Sequence, residues 1–101
     1  MSKKGVFKMD FKKKTGRIWL ENQNGEEIAF VAFASRTEDT IEITSTVVDS
    51  SLRGQGVAGK LIDALTQELR SKGQKAIPTC SYAQKWFSQH PEHADLLAEE
   101  S

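Results

Sequence analysis

A chain of 101 residues, 38% hydrophobic and 28% charged, has room for one hydrophobic core, so residues 1–101 are expected to form a single domain. Its apolar stretches fall short of the roughly 18 residues that would suggest a membrane span, the start Met1-Ser2-Lys3-Lys4 lacks the apolar run of a secretory signal, and one cysteine, Cys80, excludes an internal disulfide. These features point to a cytoplasmic protein. Basic and acidic residues balance at 14 each, yet Lys3, Lys4, Lys8, Lys12, Lys13, Lys14 and Arg17 crowd one end while Glu92, Asp95, Glu99 and Glu100 crowd the other. Such runs read as solvated ends, and without interleaved aromatics to stack on bases they argue against a nucleic-acid partner.

Phe7, Met9 and Phe11 alternate with Lys8, Asp10 and Lys12, the period of a half-buried strand, before the turn signal Lys14-Thr15-Gly16. A second strand is expected over Arg17 to Glu21. Asn22-Gln23-Asn24-Gly25 supplies residues that tolerate positive backbone angles in a hairpin turn, leading into Glu27 to Ala34 with Ile28, Phe30 and Ala32 sharing a face. After a polar break at Arg36 to Asp39, a strand over Thr40 to Val48 puts Ile41, Ile43, Ser45 and Val47 on one face and Glu42, Thr44, Thr46 and Val48 on the other. The first half is thus an antiparallel meander. Trp19, Phe30, Phe33, Trp86 and Phe87 read as core residues.

From Gly54 the period lengthens. Val57, Leu61, Leu65 and Leu69 fall four apart with Ala58 and Ile62 beside them, an amphipathic helix that should end at Lys72-Gly73. Gln74 to Cys80 fits a strand returning parallel to the fourth after a helical crossover, its pairing broken at Pro78, which has no amide hydrogen to donate. A second helix over Ser81 to Gln89, with Tyr82, Trp86 and Phe87 turned inward, is stopped by His90-Pro91. His90-Pro91-Glu92-His93 lacks the spacing of a helical metal motif and a third ligand, so it reads as a turn and no metal is expected.

The chemistry concentrates in Leu52-Arg53-Gly54-Gln55-Gly56-Val57-Ala58-Gly59-Lys60, where a strand hands over to a helix. Glycines let a ligand approach the backbone, and the free amides and positive dipole of a helix's first turn suit a pyrophosphate, with Arg53 and Lys60 adding charge. The run does not fit a Walker A loop, which needs Ser or Thr after its Gly-Lys, nor a Rossmann motif, which would follow a parallel strand near the start of a βαβ unit rather than four meander strands.

Arg53-Gly54-Gln55-Gly56-Val57-Ala58 resembles the Gln/Arg-x-x-Gly-x-Gly/Ala signature of the GNAT superfamily of acyltransferases. With Ile41 to Val48, Ile77-Pro78-Thr79-Cys80-Ser81-Tyr82 and His90-Pro91-Glu92, the sequence is similar over residues 17 to 97 to the small GNAT-like proteins of about a hundred residues. The resemblance implies an α+β protein with a truncated GNAT fold, in which an antiparallel meander precedes fourth and fifth strands that run parallel and then splay, with two helices. It implies transfer of an acetyl group from acetyl-coenzyme A, the co-substrate, to an amine acceptor, either a small amine or a lysine. The pyrophosphate would lie on residues 54 to 59 and the pantetheine arm beside Val47 and Val48. Cofactor-binding residues are thus expected to be Val47, Val48, Arg53, Gly54, Gln55, Gly56, Val57, Ala58, Gly59 and Lys60.

Cys80 falls where the family places the thioester, as acyl acceptor or as acid to the departing thiolate; packing as a small hydrophobe is the competing reading. Two positions depart from the family. Ser45-Thr46 replaces a His-Thr pair, and Phe87 stands where larger members carry a tyrosine acid. Tyr82 reads as packing with its hydroxyl at the surface, with a chemical role as the alternative. Lys85 is a solvated lysine or a phosphate contact. These departures keep open a coenzyme-binding module with little catalysis. A monomer or weak homodimer is expected, since lysines protect the N-terminal edge strand.

Overall fold

The computed structural model describes residues 11–52 and 54–98. Most of the expected first strand, including Phe7 and Met9, lies outside them. Five strands follow in order: β1 (Lys12–Lys14), β2 (Arg17–Glu21), β3 (Glu27–Thr37), β4 (Thr40–Val48) and β5 (Lys75–Pro78). They form one sheet in sequence order, antiparallel through β4, with β5 parallel to β4. The crossover between those two is α1 (Val57–Lys72), and α2 (Ser81–Gln89) follows β5. Short 3-10 segments at Ser50–Leu52 and Pro91–Leu96 complete the chain. No helix among the described residues is long and apolar enough to cross a membrane.

Helix α1 takes its place because its apolar positions form one stripe. Val57, Leu61, Ile62, Leu65 and Leu69 are buried, and burying a side chain of this size contributes about 1.5–3 kcal/mol. Thr66, the polar member of the stripe, satisfies its hydroxyl on the Asp63 carbonyl at 2.7 Å. Gly73 closes the helix at φ 67°, its amide returning to the last carbonyls. Against α1 lie Ile18 and Leu20 from β2, Ala29 and Val31 from β3, Ile41 and Ile43 from β4, and Ala76 from β5, all buried.

The strand alternation holds, but β3 turns the other way from expectation. Ala29 and Val31 enter the core, whereas Phe30 and Trp19 are only half-buried on the opposite face. That face needs amphipathic cover. The Arg17 guanidinium lies 3.9 Å from the Phe30 ring centre, and the Trp19 indole N–H donates to Glu21 at 2.8 Å. Trp86 and Phe87 are core residues, as expected, packed edge to face at 5.1 Å. Phe33 packs against the core while remaining half-buried.

A bulge in β4 corrects the second face assignment. Ala32 pairs with Ser45 and Phe33 with Ile43, leaving Thr44 as the extra residue, its hydroxyl on the Ala32 carbonyl. The inserted residue exchanges the two faces beyond it. Ile41 and Ile43 point into the core, but thereafter Thr46 and Val48 face the helix side, while Ser45 and Val47 turn to the open side, Val47 being 49% exposed.

The final segment returns to α1. Arg70 donates to both carboxylate oxygens of Asp95, at 2.8 and 3.0 Å, and this pairing holds the Asp95 carboxyl below the usual carboxylate range. A carboxyl depressed by folding stabilises above its unfolded value, ~3.9, and that contribution disappears as pH falls through the lower folded value. Asp95→Asn is therefore expected to melt slightly below the parent near neutral pH, with the two converging in acid. Thermal melts between pH 2 and 7 check this, and a gap that does not narrow in acid would assign the effect to something other than the ion pair.

Candidate active site at the β4–β5 splay

β4 and β5 pair only from Thr40↔Lys75 to Ile43↔Pro78. The ring nitrogen of Pro78 ends the ladder, after which the amides of Thr79 and Cys80 both donate to the Ile43 carbonyl, at 3.0 and 3.2 Å, and the chain turns into α2. Ser45 to Val48 consequently pair with β3 alone. The other backbone edge of that stretch faces the splay, where an extended ligand could add to it.

A cleft of about 400 Å³ opens beside this edge, lined by Thr46, Val48, Leu52, Gly54, Gly56, Val57, Ala58 and Tyr82. At its floor α1 begins. Gly56 is the N-cap with φ 74° and no side-chain cap, and Gly54 has φ 85°. These left-handed positions favour glycine, and an added Cβ at either would meet nothing within 4 Å. The first intrahelical bond shown runs from the Lys60 amide to the Gly56 carbonyl, leaving the Val57, Ala58 and Gly59 amides without acceptors among the described residues. Three amides at the positive end of a 16-residue helix suit an anion.

Of the residues expected to bind the coenzyme, Val48, Gly54, Gly56, Val57 and Ala58 line this cleft. Gly59 lies one position further along α1, facing α2. Gln55 is exposed, its amide group reaching the Ser51 carbonyl at 3.5 Å. Val47 can meet the cleft only through its backbone, because the bulge turns its side chain away. Lys60 borders a separate recess with Phe11, Lys13 and Asp63. Arg53 lies outside the described residues. A larger groove, about 670 Å³, runs between the β1–β2 turn and the C-terminal half of α1, lined by residues such as Lys13, Phe33 and Lys72, away from the glycine segment.

Cys80 is the N-cap of α2, half-buried, with its sulfur accepting from the Ala83 amide at 3.4 Å and lying 3.5 Å from the Thr46 hydroxyl. The bulge produces this neighbour, since strict alternation would have turned Thr46 away. Phe87 is buried and offers no hydroxyl, and Ser45 is on the other face. Lys85 is exposed on α2.

Two residues that sequence reasoning passed over stand at the same point on the open face. Glu42 pairs with Arg36 at 3.1 Å and accepts from the Thr79 hydroxyl at 2.8 Å. Thr79 precedes Cys80. The signal was present in a carboxylate within an otherwise apolar and hydroxylated strand, but only the β4–β5 register brings it beside Thr79.

His90 and His93 are explained by packing. His90 stacks on Trp86 with ring centres 4.0 Å apart, and His93 stacks on the same ring at 5.4 Å while its Nδ1 lies 3.1 Å from Arg70. No group of three metal-binding side chains occurs among the described residues.

A family model described as GCN5-related N-acetyl-transferase matches residues 17–96. None of the curated proteins compared matches the chain. A GCN5-like protein from Staphylococcus aureus, solved by NMR, superposes with a TM-score of 0.75 at 22% identity, covering 92% of this chain and 91% of that one. A GNAT-family N-acetyltransferase from Escherichia coli in complex with CoA gives 0.59 at 21% identity, over 68% of this chain and 42% of that one. An N-acetylglutamate synthase from Neisseria gonorrhoeae, complexed with coenzyme A and N-acetyl-glutamate, gives 0.61 at 18% identity, over 73% of this chain and 18% of that one. At these identities the likeness establishes a shared fold.

Proposed function

We propose, from the premise that this chain belongs to the GCN5-related N-acetyltransferase family, that it transfers an acetyl group from acetyl-coenzyme A to an amine. The observation that carries the proposal is the meeting of two features at one cleft, amides at the start of α1 and a β4 edge ending beside Cys80, both without partners among the described residues. The cradle suits a pyrophosphate and the edge suits the amide-bearing pantetheine arm, so a thioester would reach the splay near Thr46 and Cys80. No metal is called for.

The step follows from the groups at hand. A neutral amine attacks the thioester carbonyl, the carbon–sulfur bond breaks, and the nitrogen of the new amide gives up its extra proton to solvent. The coenzyme sulfur leaves as a thiolate that takes a proton from the Cys80 thiol, itself then reprotonated by solvent, or from water. The ammonium form of the acceptor must first lose a proton, and we assign its receipt to Glu42, which accepts from the hydroxyl of Thr79 next to Cys80. Both the small-amine and lysine classes meet these requirements. Burial of Phe87 favours a second reading, a coenzyme-binding module with little turnover.

Release of free coenzyme thiol from acetyl-coenzyme A in the presence of an amine panel, set beside calorimetric coenzyme binding, separates the two. Transfer with binding supports the enzyme, binding without transfer supports the module, and absence of binding removes both. Glu42→Gln should lower kcat/KM for the amine at least about tenfold, at the low end of general-base effects, while coenzyme affinity stays within about threefold. The deficit should shrink at high pH, where more acceptor is already neutral. An unchanged pH–rate profile would exclude Glu42 as the proton acceptor.

A further inference from the structure

Helix α2 approaches α1 at Gly59. A Cβ there would lie 3.4 Å from the Trp86 indole nitrogen and 3.6 Å from the Tyr82 hydroxyl oxygen. A glycine in mid-helix costs about 1 kcal/mol relative to alanine, and since Gly59 has no positive φ, the backbone does not require it. What the missing methyl leaves is a methyl-sized slot between the helices, at the last residue of the amide cradle. Trp86 is 5% exposed; its indole N–H has no acceptor among the described residues, and since no buried side-chain nitrogen there is left without one, it reaches solvent. Tyr82 is 37% exposed and lines the coenzyme cleft. Desolvation raises its phenol above the ordinary tyrosine value, so it remains a hydrogen-bond donor, as an ordinary tyrosine would.

Building on the coenzyme cleft proposed above, we infer that α2 supplies a second arm of the phosphate site. The Tyr82 hydroxyl, with the Trp86 indole N–H behind it, donates to the phosphate that rests on the amides of Val57, Ala58 and Gly59, through the slot that Gly59 keeps open. The cradle alone would bind an anion from one side. Donors from α2 fix its position and with it the reach of the pantetheine arm toward the splay.

The test compares coenzyme A with S-acetyl-pantetheine, which has the arm and no phosphate, by thermal-shift titration at millimolar ligand. Tyr82→Phe removes one oxygen at a partly exposed position and should weaken coenzyme A about fivefold, as expected for a hydrogen bond to a charged group, with S-acetyl-pantetheine unaffected. Gly59→Ala should melt at or above the parent temperature, since alanine favours the helix, yet show the same selective loss. Equal affinity of the parent and both variants for coenzyme A overturns the α2 arm and leaves the cleft assignment standing. Equal losses for both ligands also overturn it, assigning Tyr82 to packing against the arm. A parent protein that binds neither ligand overturns the cleft assignment together with the arm.

Discussion

Replacing Gly56 by valine is expected to weaken coenzyme A binding at least about thirtyfold, roughly 2 kcal/mol at 1.4 kcal/mol per decade. An added Cβ meets no protein atom within 4 Å, so nothing in the fold is displaced. The side chain instead projects into open space beside the amides of α1, where a phosphate would have to approach. A second cost is independent of ligand. Gly56 holds φ 74°, and an L-residue in the left-handed region costs about 1–2 kcal/mol, more for a β-branched one. For a chain of this size that corresponds to a melting temperature lower by roughly 4–16 °C. Calorimetry well below the variant's melting temperature separates the two effects. A folded Gly56→Val protein that binds coenzyme A as the parent does would remove the amide cradle from the site.

Cys80 carries the other large expectation, and the structure changes how it must be tested. Cys80→Ala should leave coenzyme affinity within about threefold and reduce acetyl transfer at least about tenfold, the pattern of an interaction made mainly in the transition state. The sulfur also caps α2 through the Ala83 amide, and losing a polar N-cap costs roughly 0.5–2 kcal/mol. A fall in activity of the alanine variant could therefore come from a loosened helix. Cys80→Ser separates the two roles, because serine is among the preferred N-cap residues but is a far weaker acid and nucleophile than a thiol at neutral pH. The serine variant should melt like the parent and still lose transfer. Incubation with acetyl-coenzyme A followed by intact-mass measurement then distinguishes an acetyl adduct on Cys80 from direct transfer. Full activity in Cys80→Ser would make the thiol a helix cap alone.

The cap explains why packing and chemistry compete at this residue in any reading of the sequence. Ser81-Tyr82-Ala83 after a cysteine gives the start of a helix, and a cysteine before a helix can serve as its cap, as a reactive group, or as both. The hydrogen bonds show that the sulfur reaches two partners, the Ala83 amide and the Thr46 hydroxyl. Thr46 can reach it only because Thr44 is extruded from the ladder. A single inserted residue in β4 thus decides which side chains meet at the splay.

Local chemistry in the chain was enough to determine the order of elements, the extent of α1, the end of the β5 ladder and the glycine-lined turn. Each is set by near neighbours: apolar residues four apart make one stripe, Pro78 has no hydrogen to donate, and Gly73 and Gly56 take angles that other residues resist. The tertiary structure decided what depends on pairing between distant segments. It turned Ala29 and Val31 inward and left Trp19 and Phe30 on the open face, because two alternating faces of comparable apolar character differ only in which one a helix covers. It reversed the sides of Ser45 to Val48, since a bulge is a mismatch between two strands and neither strand alone carries it. It also brought Glu42 to Thr79 and Tyr82 to Gly59, contacts 37 and 23 positions apart in the chain, through the parallel register of β4 with β5 and the packing of α2 on α1.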